Sequence, residues 1–175
     1  MKNPKSMLGC AFAMASVIAL VGLSAFAENS TPAATLYAND ETAVRDALLK
    51  FARSIEQNDI GMASQVWAND DSLIVFESGN AHYGWKNYRD RHLIPAMSSM
   101  KKTKVGINET KIHLAGKTAW ATFKYTISAD RPGNGTTRHI DFIGIATALL
   151  ERRDGRWQIV HWHTSAPASK PTKPE

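Results

Sequence analysis

Two histidines, His161 and His163, stand two residues apart in a stretch that otherwise reads as a strand, Trp157-Gln158-Ile159-Val160-His161-Trp162-His163-Thr164. On an unbroken strand Trp157, Ile159, His161 and His163 share one face, and Gln158, Val160, Trp162 and Thr164 share the other. Side chains so spaced start about 7 Å apart at Cα, and two imidazoles there can hold one metal ion or one ligand. With His92 and Glu77 they would make a three-histidine, one-carboxylate set suited to zinc or copper. The plainer alternative is a pair of hydrogen-bonded core histidines, and spacing alone is a weak sign of metal.

A second group offers acid–base chemistry. Glu77, Tyr83, Tyr88, Arg89, His92 and Tyr125 fall where a cavity mouth is expected. Glu77 or His92 would be the catalytic acid or base, since a carboxylate in an apolar pocket can take a proton. A tyrosine or histidine can donate to a developing oxyanion. Tyr83, Tyr88, Arg89, Tyr125, His161 and His163 would touch the ligand. The plainer alternative is an Arg89–Glu77 ion pair with aromatic packing around it. No Gly-x-Ser-x-Gly stretch, phosphate loop or dinucleotide fingerprint occurs, so a nucleophilic or nucleotide enzyme is not indicated. No cofactor is expected.

The elements that must position these groups follow from pattern. Val44, Leu48, Phe51 and Ile55 make one apolar stripe, which predicts a helix over 41–57 capped by Asn39 or Asp40. A short helix at 61–67 and a strand pair at 72–76 and 81–83 come next. A third helix starts at Trp85 and is expected to end near Ile94, before Pro95. Trp85, Tyr88, Arg89 and His92 share its one side. Long strands are predicted at 104–114, 118–129 and 138–152, the second with Ala119, Ala121, Phe123, Tyr125 and Ile127 on one face. The Asp154-Gly155 hairpin then leads into the last strand. The order predicts an α+β fold: a cone-shaped, curved antiparallel sheet whose concave face is covered by three N-terminal helices, with a second subunit on the other face.

The first 27 residues read as a signal peptide. Lys2 and Lys5 precede an apolar run ending in Ala25-Phe26-Ala27. Residues 28–39 read as a linker, 40–167 as the domain, and the Pro- and Lys-rich 168–175 as a disordered tail. The expected location is periplasmic or secreted, with no membrane contact after cleavage. Cleavage removes the sole cysteine, Cys10, and lowers the formal charge from +5 to +3. Stability in an oxidising compartment must then come from packing. The basic residues are scattered, which argues against nucleic acid.

The Trp67-Ala68-Asn69-Asp70-Asp71 turn, the Phe76-Glu77 pair, the Lys111–Gly116 stretch and the closing Arg153-Asp154-Gly155-Arg156-Trp157…His161-Trp162-His163-Thr164-Ser165-Ala166-Pro167 run resemble the nuclear transport factor 2-like superfamily. Within it they are similar to the SnoaL-like branch and to the association (hub) domain of calcium/calmodulin-dependent protein kinase II. The resemblance spans roughly 40–167. It implies an exported small-molecule-binding or oligomerising domain without kinase activity, forming a homodimer or larger assembly around a pocket for a small acidic or aromatic ligand. Its alternatives are a SnoaL-like isomerase, cyclase or hydrolase-type enzyme using Glu77 and His92, and a histidine-rich metal-binding protein. Hub pockets carry arginines where this chain has Ala148 and Thr164, so a hub-style anion pocket does not carry over.

Overall fold

The computed structural model describes residues 33–77 and 79–166, with side chains from residue 39 onward. The expected signal peptide and the tail at 168–175 lie outside the described residues. Among the described residues four α-helices and six strands follow in the order α1 (Ala33–Gln57), α2 (Ile60–Ser64), β1 (Ile74–Glu77), β2 (Asn80–Tyr83), α3 (Trp85–Tyr88), α4 (Ile94–Ser99), β3 (Lys101–Ala115), β4 (Thr118–Pro132), β5 (Thr137–Arg153) and β6 (Arg156–Ser165). A π-helical turn, Arg89–Leu93, joins α3 to α4.

The strands form one curved, unclosed sheet in the order β2-β1-β6-β5-β4-β3. The α+β class read from the sequence is the class observed. The long strands pair antiparallel, as expected, but β1 runs parallel to β6, so the sheet is mixed. Helical and strand residues share one core on the inner face, centred on Val44, Leu48, Phe51, Trp67, Tyr88, Phe123 and Trp162. Phe51 and Trp162 meet edge-on at 5.3 Å between ring centroids, and Trp67 sits 4.9 Å from Phe51. Aromatic pairs so arranged add to the gain from burial alone.

Three local expectations change. The first helix begins at Ala33 rather than Glu41. Asn39 and Asp40 are therefore helix-interior residues, not caps. Asp40 instead ion-pairs with Arg152 and accepts from Trp157 Nε1 at 3.3 Å, tying α1 to the last hairpin. The third helix does not stop before Pro95. Its turn widens over Arg89–Leu93, the Ile94 N–H reaches back to the Arg89 carbonyl, and Pro95 enters α4 where its missing N–H does no harm.

The third change decides where the site lies. Across β5 and β6, Leu149 opposes His161 but Leu150 opposes Ile159. Val160 is thus the extra residue of a β-bulge, and every side chain after it changes face. Trp157 and Ile159 point inward, and so do Trp162 and Thr164. His161 and His163 point outward, beside Ile74 and Phe76 of the neighbouring parallel strand. The hairpin itself is as read: Asp154 and Gly155 both take positive φ, 49° and 76°, which a two-residue turn between twisted strands requires.

Candidate active site: a carboxylate held by a tyrosine and a histidine

Between the helices and the inner face lies a cavity, with about 70 Å³ open to the centre of a water molecule. Phe51 and Ile55 of α1, Leu93 of the π-turn, Met97 and Met100 after it, and Val105, Ile107, Phe123, Ile127 and Trp162 of the sheet supply apolar walls. The polar groups cluster together. Glu77 closes β1, and because Val75 pairs with Trp162, the next inward position puts Glu77 beside Thr164. Tyr88 and His92 come from the helical run, four residues apart, on the side turned to the cavity. Tyr125 comes from the inner face of β4.

Glu77 Oε2 accepts from Tyr88 Oη at 3.2 Å and from His92 Nε2 at 3.2 Å. The Tyr88 and His92 rings stack at 5.6 Å and 15°. The hydrogen bond and charge of Glu77 raise the His92 pKa above its ordinary value against an opposing desolvation. Burial, then the Glu77 charge, pushes Tyr88 well above the ordinary phenol range. Burial and the Glu77 charge also raise Tyr125. Both phenols therefore remain donors across the neutral range. The result is a carboxylate–imidazole couple at the wall of an apolar hollow, able to hold and pass one proton.

Of the residues singled out from sequence, the cavity brings together Glu77, Tyr88, His92 and Tyr125. It does not bring in the rest. Tyr83 is 63% exposed on the outer face, edge-on to Phe76. Arg89 turns outward and pairs with Asp90 at 2.6 Å, so the Arg89–Glu77 ion pair does not form. His161 and His163 flank Phe76, at 5.6 and 6.2 Å between centroids, behind the sheet from Glu77 and His92. Burial and the neighbouring His163 charge lower the His161 pKa. The proposed metal set of Glu77, His92, His161 and His163 is therefore divided by the sheet. Among the described residues, no group of three or more His, Cys, Asp or Glu side chains is placed to hold a metal ion.

Sequence reasoning missed Thr164 and His82, and it set Trp162 on the face opposite Trp157 and Ile159, which the structure corrects. A tryptophan assigned to the outer face beside imidazoles assigned to the core was a conflict that pointed to the bulge. Gly144 was also missed. It lies opposite Tyr125, and a Cβ there would sit 2.6 Å from the Tyr125 ring and 2.7 Å from the Ser165 carbonyl. Only a bare backbone lets that ring lie flat across the strand.

A curved six-stranded sheet wrapped on helices around a polar-ended cavity defines the nuclear transport factor 2-like class. Residues 44–169 match the SnoaL-like domain, and the chain belongs to that family. No curated protein matches the sequence. Among solved structures, the chain is similar to a nuclear transport factor 2-like superfamily protein from Salmonella enterica serovar Typhimurium, with 22% identity over 77% of this chain and 94% of that one, at a TM-score of 0.66. It is similar to a candidate ketosteroid isomerase from Shewanella frigidimarina, with 23% identity over 69% and 92%, at 0.57. A candidate calcium/calmodulin-dependent protein kinase II association domain from Xanthomonas campestris shares 20% identity over 75% and 89%, at 0.59. At these identities the likeness concerns the fold.

Proposed function

We propose that this SnoaL-like domain binds a small, mostly apolar molecule in the cavity, with one polar group of the ligand set against Glu77 and His92. The observation that carries this reading is the double hydrogen bond to Glu77 Oε2 at the end of an otherwise apolar hollow. Among the described residues no Lys or Arg lines the cavity, and Glu77 brings negative charge. An acidic ligand is therefore disfavoured, and a neutral aromatic or carbonyl compound fits better. Met97 and Met100 supply adaptable walls. The test is a panel of small ketones, phenols and benzoates scored by thermal shift and by histidine NMR. Neutral members should raise Tm and move the His92 signals in wild type and less so in Glu77→Gln. A panel with no binder, or one won by the benzoates, would sink the reading.

The carboxylate–imidazole couple favours a second reading, in which the bound molecule exchanges a proton with Glu77 or His92 as in an isomerase or dehydratase. Solvent deuterium entering a bound ketone at its α-carbon, and lost in Glu77→Gln, would support it; binding without exchange would leave a carrier.

Two further parts of the proposal rest elsewhere. Export rests on the leader pattern of residues 1–27, and N-terminal sequencing of the mature protein should begin at Glu28. Self-association rests on the outer sheet face, where Ile143 and Ile145 are 64% and 61% exposed and Trp120 lies open with His113 stacked on it at 4.9 Å. A second copy of the chain covers such a face well. Light scattering of wild type and Ile145→Lys should show a dimer or larger species reduced by the substitution.

A further inference from the structure

His82 lies on β2 directly behind the couple, and its position has no explanation in binding. It is 9% exposed and lines no wall of the cavity. Its Nδ1 is 3.2 Å from Asn87 Oδ1, so Nδ1 carries the hydrogen and Nε2 is a lone pair. That buried Nε2 has no hydrogen-bond partner among the described residues. A buried acceptor left unpaired costs about 1–3 kcal/mol, so it calls for a role. Its neighbour is His92, ring centroid to ring centroid 5.0 Å at 60°. A linear N–H···N bond of about 2.9 Å between imidazoles places their centroids about 5 Å apart.

Proton accounting links the two rings. Glu77 holds the Nε2–H of His92, so Nδ1 is the nitrogen left for His82. While His92 is neutral, that Nδ1 is itself a lone pair, and two lone pairs do not bond. A proton added to His92 Nδ1 supplies the missing donor. We propose that His82 is a positioning residue for His92: its Nε2 accepts the Nδ1–H that His92 gains on protonation, so that one proton is held along a chain Glu77–His92–His82. The proton comes from solvent or from the bound molecule and returns by the same route, and no other bond changes.

The other groups around His92 do not offer the same service. Tyr88, from its own helix, donates to Glu77. Tyr125, from β4, is a protonated phenol on the cavity side. The α1, β3 and β6 walls bring Phe51, Ala52, Ile55, Val105, Ile107, Trp162 and Thr164, none of which titrates.

The inference rests on reading the cavity as a proton-handling site, yet its test needs no ligand. Side-chain nitrogen NMR of the full chain, followed through a pH titration, reports both rings. The His92 midpoint should fall by about one unit, tenfold in proton affinity, in His82→Phe, which keeps a ring but has no acceptor. His82→Gln, whose amide oxygen can accept, should restore most of it. In wild type the His82 Nε2 signal should move with the His92 midpoint, which decides the matter if neither variant folds. An unchanged midpoint in His82→Phe, or a His82 signal indifferent to His92, overturns the proposal. Failure of the ligand panel would count against the binding reading alone.

Discussion

The two faces of the sheet are built by the same strands and have opposite characters. The inner face gathers Trp162, Thr164, Glu77, Phe123 and Tyr125 against helices. The outer face carries His161, His163, Phe76, Tyr83, Trp120, Ile143 and Ile145, much of it open. On β6 what sorts them is one residue, Val160. The bulge sends the tryptophan that closes the aromatic core inward and sends both imidazoles out. Residue type therefore does not decide which face does chemistry here; register does.

The comparison is broken hardest at Trp162. Trp162→Ala removes a ring packed against Phe51, Trp67 and Phe123, and should cost about 3–5 kcal/mol in chemical denaturation. A loss comparable to that of an exposed residue would mean that the inner face is not the core.

Gly144→Ala comes next. The added methyl meets the Tyr125 ring and a backbone carbonyl, which cannot both move, so a loss of about 1–3 kcal/mol is expected. Tyr125 fluorescence or NMR shifts should change with it. A silent substitution would show that the ring does not lie across that strand.

Glu77→Gln should cost about 1 kcal/mol near pH 6, and the cost should depend on pH. The His92 pKa is raised in the fold, so its charged form adds stability fully below about pH 6.5 and loses it as pH rises through the folded value. The gap between wild type and Glu77→Gln should therefore narrow from pH 6 to pH 9. Parallel stability curves would remove the Glu77–His92 couple from the picture.

The smallest effect belongs to the outer histidines. His163→Ala should change stability by no more than about 0.5 kcal/mol and leave ligand binding in the cavity intact. Lost binding in that variant would return the imidazole to the site from which the bulge excludes it.

Much of this was legible in the residues and their order. The stripe Val44, Leu48, Phe51 and Ile55 faces the core, the inward series of β4 is the one read from its alternation, and Asp154-Gly155 turns the last hairpin. Periodicity put Tyr88 and His92 on one helix side and Tyr125 on the inner face of its strand, but it also put Arg89 with them, which the π-turn turns outward. Periodicity failed where the backbone departs from it. The Val160 bulge is written in cross-strand pairing, which the local alternation around His161 and His163 does not contain. The π-turn let the helix pass Pro95, which on propensity should have ended it. His82 drew no attention because its interest lies in a missing partner, and only packing shows that.

One edge strand of the sheet, β3, carries a further consequence. It breaks register twice, between Lys101 and Lys104 and between Asn108 and Lys111, and Glu109 takes a left-handed φ of 52° at the second break. Its Val105 N–H is taken by the Glu56 carboxylate at 2.9 Å, and lysines crowd its start. A rim so kinked, charged and occupied makes a poor template for a foreign strand, which guards the protein against fibril-like stacking.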